Sequence, residues 1–141
     1  MQKHVKKSKV CRFAFPKFPM SSTQILQTFR NAEVEVMKLH KQNSAKIEQF
    51  IIGMKPGEDD ISFDEFLQRL NMSEGLYILA LRSSIKRDTV FLKREPNAMR
   101  VNNYNVDCLR AWRANLDVQV VLDIFSCVAY ITAYVAKGAR A

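Results

Sequence analysis

Apolar residues recur along this chain with two rhythms, and the switches between them mark its elements. Phe29, Val36, His40, Ile47 and Ile51 are separated by sevens and fours. That spacing places them on one face of a helix over 29–52. The polar run 41–46 is expected to loosen its middle, and Gly53, Pro56 and Gly57 stop it. Ser62 and Glu65 have capping-box spacing and open a short helix through Leu70. Ser73 caps a further helix through about Ser84, with Leu76, Leu79 and Ala80 expected to face inward. The rhythm then shortens. Residues 88–94 alternate and are rich in β-formers, which predicts a strand; Pro96 and Asn97 make a turn, and 99–102 return as a second short strand. A helix over 107–114 carries Trp112, 117–122 reads as an apolar strand, and Asp123 caps a last helix running to Lys137 and Gly138. Near the start, Phe13, Phe15 and Phe18 are interleaved with Pro16 and Pro19, as in an extended segment pinned onto a neighbour.

The expected fold is therefore α+β and helix-rich, with a few short antiparallel strands against which the last helix packs. Three segments are expected: a basic extended segment over 1–20, a helical part over 21–85, and a strand-helix part over 86–141. At 141 residues a single modest core is possible. The stretch 118–136 has the length of a membrane span, but Gln119 and Asp123 interrupt it. It is read as strand, turn and core helix, with no membrane partner. Cys11, Cys108 and Cys127 lie far apart without a CxxC pair, which suits free thiols in a reducing compartment.

Charge adds a direction. Lys and Arg outnumber Asp and Glu by 22 to 14, a formal charge of +8. Lys6, Lys7, Lys9 and Arg12 belong to an acid-free block in the first 20 residues. Such a block suits a phosphate backbone, and equally a solvated tail. Arg110 and Arg113, with Trp112 and Tyr104 nearby, have the composition of a single-strand-binding surface. Trp112 itself is expected to anchor the core, leaving the arginines in solvent and available to DNA. The Lys86-Arg87 and Lys93-Arg94 pairs read as solvated charges at turn and strand ends, or, in a chain this basic, as an extension of the same surface.

The last helix holds the candidate chemistry. Ile124, Val128, Ile131 and Val135 form an apolar stripe, while Tyr130, Tyr134 and Lys137 fall in a different narrow arc. Two phenols one turn apart are candidate nucleophiles for a phosphodiester, and equally core or rim residues. With an ordinary pKa near ~10, a phenol needs a cation to favour phenolate. Lys137 is placed to supply one, although a lysine near a helix C-terminus also complements the helix dipole. His40, on the apolar face of the long helix, is expected to be a satisfied core histidine. His4 and Cys11 are too few for a tetrahedral zinc site. Setting Glu65 at position twelve of a calcium loop puts Met54 and Pro56 at ligand positions, so that reading fails.

Five blocks occur in order: Cys11-Arg12-Phe13-Ala14-Phe15-Pro16, Leu92-Lys93-Arg94-Glu95-Pro96-Asn97, Val101-Asn102-Asn103-Tyr104-Asn105, Trp112-Arg113-Ala114-Asn115-Leu116-Asp117-Val118-Gln119, and Tyr130-Ile131-Thr132-Ala133-Tyr134-Val135-Ala136-Lys137. Together they resemble the helitron helicase-like family, the replication-initiator region of Helitron transposons, in many genomes fused upstream of a Pif-type helicase. The resemblance is weakest over 23–60. It implies an HUH-type fold and a single-strand DNA nuclease and strand transferase. In that family a His-x-His pair binds a divalent cation (Mg or Mn), and a tyrosine attacks to leave a 5′-phosphotyrosine. Tyr130 and Tyr134 match the family's tyrosine pair and Lys137 the lysine that follows.

The departures are equally specific. The histidines are His4 and His40, so there is no His-x-His and no metal ligand is assigned; nor is there a GxxxxGK(S/T) loop. The resemblance thus implies an incomplete C-terminal piece of the family's region, without a cofactor of its own and inactive alone. Its implied partners are single-stranded DNA, the N-terminal portion of the region and the helicase domain, in the nucleus. A non-enzymatic basic nucleic-acid-binding or interaction protein derived from a transposon is the alternative, and a non-functional remnant a third. A piece of this kind is expected to expose an edge and a face, and so to be marginally stable or to aggregate.

Overall fold

The computed structural model describes residues 15–30, 34–55, 57–114, 118 and 120–138; within the last helix, the side chains of Ser126, Tyr134 and Lys137 fall outside the description. The chain is helix-rich α+β. Its order is β1 (Gln24–Leu26), α1 (Val34–Gly53), α2 (Phe63–Leu70), α3 (Glu74–Ser84), β2 (Thr89–Phe91), α4 (Val106–Trp112) and α5 (Ile124–Gly138), with a 3-10 turn over Pro96–Ala98.

The helix starts follow local chemistry. Ser62 Oγ accepts from the Glu65 amide at 3.2 Å, and Ser73 Oγ from the Leu76 amide at 3.3 Å. Each satisfies a backbone donor that the first turn leaves without a partner. Asp123 caps α5 in the same way, its Oδ1 accepting from the Phe125 amide at 3.0 Å. α2 closes on Asn71 in the left-handed region (φ 53°), whose amide reaches back to the carbonyls of Gln68 and Leu67.

α1 begins at Val34, later than the expected 29, and runs unbroken through the polar 41–46 stretch. Phe29 lies before it and stacks under the Arg82 guanidinium, 4.3 Å from the ring centroid. The buried stripe of α1 is His40, Ser44, Ile47 and Ile51, and it packs on α3. His40 is in the core as expected, but its Nδ1 makes no hydrogen bond, so it is not the satisfied histidine that was anticipated.

β1 and β2 pair antiparallel, with Gln24 opposite Phe91, Ile25 opposite Val90 and Leu26 opposite Thr89. A bridge between Met20 and Arg94 continues the pairing, and the Lys17 amide donates to the Met99 carbonyl at 2.8 Å. Residues 17–20 are thus the pinned extended segment that the proline spacing implied, with Pro19 and Met20 fully buried and Phe18 against Phe91. The segment 99–102 is not a strand: it continues the 3-10 turn, and Met99 inserts into the core instead. Residues 118 and 120–122 are not a strand either; 117 and 119 lie outside the described residues.

The core gathers Met20, Leu26, Ile47, Ile51, Met54, Phe63, Phe66, Leu67, Tyr77, Ala80, Leu81 and Met99. Phe50, Phe63, Phe66 and Tyr77 form an aromatic cluster with centroids 5.7–6.2 Å apart, mostly edge to face. Two salt bridges fasten its rim, Arg69 to Glu65 and Arg100 to Asp59. No described residue after Met99 is buried. The last helix therefore does not pack against the strands: Ile124, Val128, Ile131 and Val135 all face solvent, and Phe125 is 84% exposed. Trp112, expected in the core, is 71% exposed.

Candidate nucleic-acid interface

α4 is a two-turn helix set by its own ends. Asn105 Oδ1 accepts from the Cys108 amide at 2.9 Å, Asp107 sits in the first turn and Arg110 in the last. Both charges have the sign that the helix dipole favours. Arg113 closes it in the left-handed region (φ 52°), its amide donating to the Leu109 carbonyl at 2.9 Å. The helix buries no residue. Its aromatic and basic groups consequently all face solvent: Trp112, with Tyr104 just before the helix 55% exposed, and Arg110 and Arg113. Arg110 and Trp112 are two positions apart in the helix, about 200° of rotation, so these two lie on opposite sides of α4 rather than on one face. Arg113, immediately after Trp112, leaves the helix at the same end as the indole.

The loop feeding α4 is held by Arg94. Its guanidinium donates from one terminal nitrogen to the carbonyls of Ala98 (2.6 Å) and Val101 (2.7 Å), and from the other to Asn103 Oδ1 (2.7 Å). Its backbone is fixed as well, exchanging two 2.9 Å bonds with Met20. Partial burial pulls the guanidinium below its ordinary pKa. Arg94 is thus not a solvated strand-end charge. Lys86, Arg87 and Lys93 are exposed.

On α5, Tyr130 lies off the apolar stripe and is 60% exposed. Tyr134 and Lys137 belong to the same helix, so their backbone positions follow Tyr130 by about 6 Å and about 10 Å along the axis, within an arc of about 60°. Lys6, Lys7, Lys9 and Arg12, like His4 and Cys11, lie outside the described residues. Shallow grooves lie elsewhere: one of about 430 Å³ between α1 and α2 around Phe50, Met54, Glu58 and Arg69, the other beside β1 and Arg82. Neither takes a residue from α4 or α5.

Comparison with known proteins finds no matching family model, curated protein or solved structure.

The site is accordingly defined by its own residues. Among the described residues no three His, Cys, Asp or Glu side chains converge as a metal site, and no helix is long and apolar enough to cross a membrane. Cys108 is exposed and Cys127 half-buried, both as free thiols. What the described surface offers chemically is an outward indole and phenol, flanking guanidinium groups, and a second outward phenol on the final helix. Sequence reading missed Arg94 as an organiser. Its only signal was a basic residue ahead of a Pro-Asn turn, which does not reveal three converging acceptors.

Proposed function

We propose that this chain is the tyrosine-bearing part of a Helitron-type rolling-circle initiator, and that in isolation it binds single-stranded DNA without cleaving it. The five ordered sequence blocks support the family; the observation that carries the binding is the outward ring of Trp112. An indole held 71% in water at the end of a helix with no buried residue is not a core anchor, and presents its ring for stacking on an unpaired base. Tyr104, Arg110 and Arg113 supply a second ring and contacts to phosphate on either side of α4. Tyr130, and Tyr134 one turn on, are the proposed nucleophiles, with Lys137 favouring phenolate or steadying charge on the phosphate. The family's metal pair has no counterpart among His4 and His40, so no cleavage step is assigned to this chain alone.

Fluorescence anisotropy with a labelled oligonucleotide tests the binding. Trp112→Ala is expected to weaken it roughly 5- to 150-fold, as for loss of one stacked base. An unchanged affinity sinks the proposal. Supplying a His-x-His-bearing portion in trans with Mg or Mn is expected to give a covalent adduct that Tyr130→Phe with Tyr134→Phe abolishes. The second reading, a non-enzymatic binding module, is favoured by the same exposed Trp112 and predicts binding with no adduct under those conditions.

A further inference from the structure

A helix that buries nothing cannot hold its own bearing on the molecule. α4 has no buried residue, so the direction in which Trp112 and Tyr104 point is set by the segment that enters it. That segment leaves the core at Met99, turns through 100–101 and reaches Asn105, the cap of α4. Arg94 grips it at three successive points: the carbonyl of Ala98 before the core residue, the carbonyl of Val101 after it, and the side chain of Asn103, the residue before Tyr104. The other end of the grip is firm, because the Arg94 backbone is locked to buried Met20 by a reciprocal pair of hydrogen bonds.

From this we infer that Arg94 is a positioning residue for the single-strand interface: it touches no nucleic acid, and fixes Tyr104 and α4 in the geometry that receives the bases. The inference rests on the binding role proposed above. A planar guanidinium is what the site requires, since three acceptors in different directions match a fork of fixed N–H groups and not a single ammonium. Preorganisation of this kind raises affinity by removing the ordering that binding otherwise demands.

The test measures single-strand affinity across a salt series for Arg94→Lys, Asn103→Ala, Trp112→Ala and the pair Arg94→Lys with Trp112→Ala. Arg94→Lys is expected to weaken binding roughly three- to tenfold, the size expected for unfixing one or two interfacial rings. In a further variant that removes the charge, Arg94→Gln, the salt slope should stay that of the parent, because no phosphate contact is lost; a contact residue would lower it by about 0.7. In the Trp112→Ala background Arg94→Lys should cost clearly less than in the parent, leaving only the part carried by Tyr104. Asn103→Ala removes only the acceptor next to Tyr104. It should reproduce part of the loss with an unchanged melting curve, which keeps the test valid if Arg94→Lys folds poorly. A lowered salt slope, full additivity with Trp112→Ala, or parent affinity in both Arg94→Lys and Asn103→Ala would overturn the inference. If Trp112→Ala itself binds like the parent, it is the binding role that fails.

Discussion

Tyr77 is where packing and polarity meet in this molecule. Its ring stands edge-on to Phe63 and Phe66, and its hydroxyl donates to the Pro19 carbonyl at 3.0 Å, tying α3 to the extended N-terminal segment. Tyr77→Phe keeps the ring and leaves a buried carbonyl without that donor, so urea denaturation should show a loss of about 1–3 kcal/mol. The same burial raises the phenol's pKa in the fold, while the unfolded chain ionises near the ordinary 10.0. The neutral form is favoured by folding. Its contribution is therefore complete below pH ~10 and is lost as pH rises beyond that, and Tyr77→Phe should remove this part of the alkaline destabilisation. The sequence did not single Tyr77 out. α3 is apolar around most of its circumference from Leu76 to Leu81, so periodicity expected Leu76, Leu79 and Ala80 inward, whereas Tyr77, Ala80, Leu81 and Ser83 are the buried ones. Trp112 failed for the opposite reason: size alone suggested burial, and burial requires a neighbouring surface that α4 lacks.

Among elements, what was legible is what is local. Ser62, Ser73 and Asp123 cap the helices they were expected to cap, because a cap needs only the next three residues. Of the strand expected over 88–94, the middle was readable: Thr89–Phe91 pairs with β1, and beyond it only Arg94 bridges, to Met20. The segment 99–102 and the described residues 118 and 120–122 show the limit: apolar content resembles a strand, but a strand exists only with a partner, and 99–102 places Met99 in the core instead. α1 and α5 show the same limit in energetic form, because both carry apolar stripes and only that of α1 is covered. Ile47→Ala, in the covered stripe, should cost about 2–5 kcal/mol. Ile131→Asp, in the exposed stripe, should stay within about 0.5 kcal/mol of the parent in the same denaturation experiment. A large loss at Ile131 would mean that α5 packs in solution. Of the candidate site, Tyr130, Arg110 and Arg113 were readable as exposed polar groups on helices; the organising role of Arg94 was not, because its three acceptors converge only once the 96–103 turn is folded.

At the scale of the whole chain, the division of labour is uneven. The core draws on residues from Met20 to Met99, and everything described after Met99 is exposed or half-exposed. A charge of +8 favours solubility, whereas the bare apolar face of α5 favours association. That imbalance has a calorimetric consequence. Melting raises the heat capacity mainly by wetting apolar groups that were dry, at about 12–15 cal/mol/K per residue of an ordinary domain. A chain of this length packed throughout would show about 1.7–2.1 kcal/mol/K, whereas roughly 80 packed residues would give about 1.0–1.2 kcal/mol/K. Scanning calorimetry should return the smaller increment, since the final helix is already wet before the transition begins.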